Sequence, residues 1–188
     1  MKIGILGGTF NPIHNGHLIL AGECLKELGL EKVIFVPTHL APHKDNSDVV
    51  DAAERLTMIK MAVAANTNFA VSETEIERGG RSYTIDTIRE LKIKYPADQL
   101  YFIAGSDLLK YLDEWKDLKE IIKMVKFVVA TRPSYPLEKF PSYIQTLAIN
   151  ALDISGYRIR GLIKEGSSVR DLLPQAVFDY INKKGLYK

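Results

Sequence analysis

The sequence predicts an α/β fold: a parallel sheet doubly wound with helices and closed by a small helical portion at its C-terminal end. Three observations predict it. Short apolar runs rich in β-branched residues alternate with amphipathic segments of helical length. Polar clusters containing glycine or proline follow those runs at their carboxyl ends. No internal repeat or low-complexity tract interrupts the alternation.

"KIGIL" opens the chain as a buried strand, and "HLILAGECLKELGL" follows with helical periodicity, Leu18, Ala21, Leu25 and Leu28 sharing one face. "KVIFVP" is a second strand ended by Pro37. The polar loop "THLAPHKDNSD" then leads to a helix around "AAERLTMIKMAVAAN". "FAVSETEIERGG" is expected to be extended. "TIDTIRELKIKYP" is helical up to its Pro96 stop, with Ser82 or Thr84 as N-cap and Asp86 in the first turn. "QLYFIAG" and "KFVVATRP" are two more buried strands, separated by a helical stretch containing Trp115. The proline-rich "PSYPLEKF", Pro133 to Phe140, is an irregular link. "AINALDIS" is expected to be the last strand, and two helical segments close the chain with Leu172, Val177 and Ile181 in the core.

A length of 188 residues suits one domain over 1–188, its C-terminal helical portion running from about 155 to 188. The alternation describes a Rossmann-like sheet, in which ligands sit beyond the carboxyl ends of the strands. The stretch "GGTFNPIHNGH", the "APHK" loop, "AGSD" and "ATRP" all lie at such ends.

Hydrophobic residues make up 46% and charged residues 26%, with a net charge of +2, an ordinary globular composition. So near-neutral a balance gives no global reason to expect nucleic acid or a membrane as partner. The single Cys24 excludes an intramolecular disulfide framework and fits a reducing cytoplasm. No apolar run approaches the roughly 20 residues of a membrane helix. "MKIGILGG" is too short and too soon broken by glycine to be a secretory signal, so a cytoplasmic location is expected.

Three chemistries compete for "GGTFNPIHNGH". A redox dinucleotide site needs G-x-G-x-x-G across the first strand-to-helix turn and an acid roughly 20 positions on. Here the glycines are Gly4, Gly7 and Gly8, and "KVIFVP" ends without an acid. A Walker A loop lacks its "GK[ST]". A zinc site would need a third ligand beside His14 and His17; Cys24 falls in the apolar part of the same helix, while His39 and His43 sit on a different loop and could converge. Phosphate accounts for more of the residues. Gly7 and Gly8 let backbone amides approach an anion, Asn11-Pro12 turns the chain, and Gly16 removes bulk where the helix starts. The free amides and positive dipole of that N-terminus favour phosphate. His14 and His17, on one face, then serve as hydrogen-bond donors, although water satisfies a lone histidine at such a position equally well.

At these residues the chain resembles the nucleotidyltransferases that carry an H-x-G-H motif, and in its longer form the bacterial nicotinate mononucleotide adenylyltransferases. "PTHLAPHK", "ERLTMIKMA", "ERGGRSYTIDTIREL", "FIAGSDLLKYLDEW" and "VVATRP" match in order and spacing, so the resemblance covers almost the whole chain. It implies ATP and nicotinate mononucleotide as substrates, with Mg²⁺ on the ATP phosphates, and gives deamido-NAD and pyrophosphate. A homo-oligomer is compatible with it. The resemblance assigns catalysis to His14, His17, Lys44 and Arg160, with His17 the better candidate at the transition state. It assigns ATP binding to Gly8, Thr9, Gly105, Ser106, Asp107, Arg132 and Ser155. Acceptor binding falls to Ser82, Tyr83, Thr84, Trp115 and Lys116, Trp115 stacking on the nicotinate ring. No protein metal ligand is implied.

One departure stands out. The resembled pattern I-S-S-T-x-I-R reads here as "ISGYRIR", so Ser155 and Arg160 keep their register while Gly156 and Tyr157 replace two hydroxyl donors. Reduced affinity for ATP is the expectation. The change also leaves open a catalytically weakened nucleotide-binding protein. An adenylyltransferase for another phosphate acceptor, such as phosphopantetheine, is the remaining alternative; Trp115 and "SYTIDT" count against it, because an aliphatic acceptor needs no ring platform.

Overall fold

In the computed structural model, residues 1–42, 46–106, 112–131, 141–149 and 154–188 are described. The first apolar run forms strand β1 (Lys2–Gly8), the second β2 (Lys32–Pro37), and the later ones β4 (Gln99–Gly105) and β5 (Lys126–Thr131). Short β3 (Phe69–Val71) and β6 (Ile144–Ala148) lie at the two edges. All the pairings are parallel, in the order β3-β2-β1-β4-β5-β6, so β1 is central and the winding reverses between β1 and β4. That reversal opens a crevice at the carboxyl ends of the two strands, where α/β sheets bind ligands.

Because side chains alternate across a strand, each face of the sheet builds its own core. On one face Leu6, Phe35 and Ile103 meet α1 (Asn15–Glu27), α2 (Ala52–Val63), α6 (Gly156–Lys164) and α7 (Gln175–Lys184). On the other, Ile3, Ile5, Phe102 and Phe127 meet α4 (Thr84–Lys94) and α5 (Leu118–Met124). The doubly wound class is as the alternation predicts. The α1 stripe includes Ala21 and Leu28, with Leu18 and Leu25 partly buried beside it, but Leu20 and Cys24 are also buried. Burial raises the Cys24 thiol to about 12, so it is an inert packing group. Val177 and Ile181 are core, whereas Leu172 is only partly covered. Among the described residues no helix is long and apolar enough to cross a membrane.

Four local expectations need correction. Only Phe69–Val71 of "FAVSETEIERGG" is strand; Thr74–Arg78 coils into a short helix, α3, that ends at Gly79 and Gly80, both with left-handed φ. The turn buries Glu75, whose carboxylate accepts the Thr87 hydroxyl at 2.6 Å, and pairs Arg78 with Glu90 of α4 at 2.6 Å. These tertiary bonds outweigh the extended pattern, and burial pushes the Glu75 carboxyl above its ordinary range. Trp115 is not on a helix but between a short 3-10 turn and α5, anchored by edge contacts to Phe102 and Phe127. The last strand among the described residues is "IQTLA", which starts ahead of "AINALDIS" and shares only Ala148 with it: Ile144–Ala148 has the β5 edge to pair with, from Phe127↔Ile144 to Thr131↔Ala148. Residues 150–153 and the proline-rich link lie outside the described residues. Finally, the N-cap of α4 is Tyr83, without a side-chain cap, because Ser82 turns inward.

Candidate active site

Beyond β1 the chain turns through Thr9–Ile13, with Phe10 at φ 49° and a cis Asn11–Pro12 peptide, and enters α1 at His14. His14 is the N-cap in an extended conformation, so it precedes the helix rather than riding on it. Its backbone N–H donates to Nδ1 of His17 at 3.2 Å. A backbone amide can only donate, so Nδ1 of His17 is the acceptor; in the neutral ring the proton therefore sits on Nε2, which makes that nitrogen a donor. The two imidazoles stack, centroids 3.7 Å apart and 25° between planes, and Phe10 meets His17 edge-on at 4.9 Å. His14 is 2% exposed and His17 is half-buried, so His17 is the more open of the pair. Gly16 permits the stack: a Cβ there would stand 3.1 Å from Nδ1 of His14. The sequence places both histidines on one helical face; in the structure His14 instead precedes the helix and is the more buried of the two.

The surrounding loops are welded to this turn by Arg55 of α2, which is 1% exposed. Its Nη1 donates to the Thr9 carbonyl at 2.7 Å, its Nη2 to His39 at 3.2 Å and its Nε to Val50 at 3.0 Å. Desolvation lowers the guanidinium from its ordinary value, opposed by the phenol of Tyr187 and the carboxylates of Asp51 and Glu75. Thr38 N–H donates to the Gly8 carbonyl at 2.9 Å, joining the loops after β1 and β2. His39 ties two loops together: its Nδ1 lies 3.0 Å from the Gly80 carbonyl, and its backbone N–H donates to Ser82 Oγ at 3.0 Å. The β2 loop and the start of α4 are thereby held side by side.

At that start the α4 amides have no side-chain cap, and Lys116 places its ammonium 4.8 Å from the centroid of the Tyr83 ring. Tyr83, Thr84 and Lys116 are thus brought towards one another, with Ser82 beneath. Trp115 is half-buried: its ring packs on the core against Phe102 and Phe127 while part of it stays exposed. Gly105 ends β4 beside β1, and Ser106 follows it, its hydroxyl buried with no hydrogen-bond partner among the described residues. Lys44, Asp107, Arg132 and His43 lie outside the described residues.

The "ISGYRIR" departure takes on a physical meaning here. Ser155 caps α6, its hydroxyl accepting the Arg158 N–H at 3.2 Å, and Arg160 donates to the Asn11 carbonyl at 2.9 Å. A Cβ at Gly156 would stand 2.9 Å from that same carbonyl oxygen, a backbone atom that cannot swing away. Tyr157 is 79% exposed, and with Arg158, Arg160 and Asp48 it borders an open recess of about 400 Å³. Glycine therefore lets α6 seat directly on the histidine turn. Gly156→Ser, which restores the serine of the resembled pattern, is expected to weaken ATP binding severalfold, because overpacking of this kind costs roughly 1–3 kcal/mol. Titration calorimetry with ATP checks it; tighter binding in the variant would show that the missing hydroxyl, not the close approach, governs the site.

Three side chains that hold this site together escape sequence reasoning: Arg55, the amide of Asn11 and Tyr187. For Arg55 a signal exists, since it occupies the stripe of Met58, Ile59 and Val63, where a charge has no ordinary reason to be.

Comparison with known proteins bears on this geometry. The family model described as cytidylyltransferase-like matches residues 5–162. The chain is 40% identical over 187 residues to the nicotinate-nucleotide adenylyltransferase of Bacillus subtilis (strain 168), covering 100% of this chain and 98% of that protein. A probable nicotinate-nucleotide adenylyltransferase of Geobacillus thermodenitrificans is 42% identical, with 99% and 86% covered. The chain belongs to the nicotinate-nucleotide adenylyltransferase family. Its fold is that of the Plasmodium falciparum nicotinic acid mononucleotide adenylyltransferase complexed with NaAD, with TM-score 0.81 and 20% identity over 99% of this chain and 97% of that one. The histidine turn follows β1 and meets the start of α6 through Asn11, and the loop after β2 meets the start of α4 through His39 and Ser82.

Proposed function

We propose that the protein transfers the adenylyl group of ATP to nicotinate mononucleotide, forming nicotinate adenine dinucleotide (deamido-NAD) and pyrophosphate in NAD biosynthesis. The observation that carries this is the stacked His14–His17 pair at the N-terminus of α1, beyond the central strand of a chain 40% identical to a nicotinate-nucleotide adenylyltransferase along its whole length. Residues 1–188 act as one nucleotidyltransferase domain, with 155–188 as its C-terminal helical portion.

The nucleophile is a phosphate oxygen of the mononucleotide. Its second pKa is near 6, so it is already anionic at neutral pH and no side chain has to remove a proton. This oxygen attacks the α-phosphorus of ATP in line; one P–O bond forms as the bond to the β,γ-pyrophosphate breaks, and pyrophosphate carries away the electron pair. Adenylyltransferases generally use a divalent metal with ATP, and among the described residues no group of three or more His, Cys, Asp or Glu is placed to hold one. In this reading the metal is Mg²⁺, bound with the ATP phosphates. The protein's share is to position and to stabilise charge. The α1 amides and Nε2–H of His17 face the α-phosphate. Lys44 and Arg160 meet the leaving phosphates, Gly8, Thr9, Gly105, Ser106, Asp107 and Arg132 hold the nucleoside, and Ser155 presents the α6 N-terminus.

The uncapped amides of Thr84 and its successor, with Lys116 alongside Tyr83, suit a carboxylate better than a neutral amide. Trp115 offers a ring face to the pyridine. Pyrophosphate release from ATP and Mg²⁺ tests the proposal with three acceptors: nicotinate mononucleotide, nicotinamide mononucleotide and phosphopantetheine. The expected result is a clear preference for the first. Equal rates with both mononucleotides would remove the carboxylate site, and no release despite ATP binding would leave a nucleotide-binding protein only.

A further inference from the structure

We propose that Tyr187 is a positioning residue for the nucleotide site, acting through Asn11. Asn11 is 7% exposed and is the junction on which three parts of the chain meet. Its Nδ2 donates to the Asp48 carbonyl at 2.9 Å, and its Oδ1 accepts the Val50 N–H at 3.3 Å, which ties the histidine turn to the loop before α2. Its backbone carbonyl accepts Arg160 at 2.9 Å and has Gly156 pressed against it, which ties the same turn to the start of α6. The remaining bond is from the Tyr187 hydroxyl, which donates to Asn11 Oδ1 at 2.9 Å.

The chain is built to deliver that hydroxyl. Gly185 ends α7 in the left-handed conformation, Leu186 N–H returns to the Ile181 carbonyl at 3.1 Å, and Tyr187 itself takes φ 66°. The ring is carried back beneath the sheet's carboxyl edge, where it is 8% exposed. Its surroundings include two guanidiniums, Arg55 and Arg160, whose fields favour phenolate, yet burial prevails and holds the phenol above its ordinary pKa. The hydroxyl therefore remains a donor over the working pH range. With the amide's N–H fixed on Asp48, the phenol and the Val50 amide both select the same amide rotamer, three residues ahead of His14. Losing the phenol removes one of the two bonds on Oδ1 and loosens the turn whose backbone carbonyl seats Arg160 and α6. ATP is the ligand that feels the change, since the histidine turn and α6 border its phosphates in the proposed function, on which this inference rests.

A second phenol on α7 supplies the control. Tyr180 Oη donates to Glu54 of α2 at 2.7 Å, and Lys184 pairs with the same carboxylate at 3.2 Å, so this bond docks α7 without touching Asn11. The experiment measures the ATP dissociation constant by calorimetry and Tm by thermal melting for wild type, Tyr187→Phe and Tyr180→Phe. Both variants are expected to lose a few degrees of Tm. Only Tyr187→Phe is expected to weaken ATP binding, by about five- to tenfold, the worth of one buried hydrogen bond. Unchanged affinity in Tyr187→Phe, or equal loss in both variants, overturns the proposal and leaves Tyr187 a docking residue. A wild type that binds no ATP overturns the nucleotide assignment as well, whereas a wild type that binds ATP without turnover still leaves the comparison of affinities decisive.

Discussion

His17→Ala is expected to lower kcat for adenylyl transfer by about 10²- to 10³-fold, the cost of removing one preorganised donor from the position where charge develops. ATP affinity should fall far less, because a donor aimed at the transition state contributes little to ground-state binding. The expectation follows from the tautomer. The His14 amide fixes Nδ1 of His17 as acceptor, Phe10 braces the ring edge, and the proton is left on Nε2. The variant also removes the acceptor for the His14 N–H at the start of α1, a loss of about 0.5–2 kcal/mol in helix stability. His17→Gln separates the two effects, since its amide oxygen can serve the His14 N–H while its NH₂ only partly reproduces the donor. Steady-state kinetics and thermal melts of both variants check this. Full activity in a folded His17→Ala protein would remove the residue from the mechanism.

Arg55→Met is expected to be the most damaging substitution for stability. Methionine can occupy the volume but donates nothing, so the carbonyls of Thr9, His39 and Val50 lose their partner at 2.7, 3.2 and 3.0 Å. An unsatisfied buried group costs about 1–3 kcal/mol. With partial relaxation, about 3–5 kcal/mol is a reasonable sum, a large share of the 5–15 kcal/mol typical of a domain. That corresponds to a fall in Tm of roughly 6–20 °C. Arg55→Lys should fall between, because a point charge on a flexible stem cannot reproduce a planar fork that reaches three carbonyls. Thermal and urea melts give the order wild type, Lys, Met. A methionine variant as stable as wild type would mean that water takes over the three carbonyls.

Strands β1, β2, β4 and β5 were legible because a buried parallel strand reads as a continuous apolar run, and α1, α2 and α4 because their stripes are periodic. The segments misread are those whose conformation is decided elsewhere in the chain. Thr74–Arg78 coils because Glu75, Arg78 and Thr74 find partners on α4, and the last strand is "IQTLA" because that is the piece in register with β5. The α4 cap falls to Tyr83 because Ser82 is taken by His39. None of these partners is near in sequence, so no local pattern encodes them.

The site divides along the same line. Residue types alone pointed to phosphate chemistry: glycines, a helix start and two histidines in one turn, a lysine loop, and an arginine expected at the end of a strand. The sequence also determined where that chemistry had to collect, since parallel strands all point their carboxyl ends the same way. Folding added what residue types could not: His14 is buried while His17 stays half-buried, Gly156 is a close approach to Asn11, and Arg55 and Tyr187 bond to the loops of the site. The reason is physical. Donor type is a property of a residue, but its orientation, burial and satisfied partners depend on atoms brought from far along the chain, as much as 176 residues away in the case of Tyr187 and Asn11.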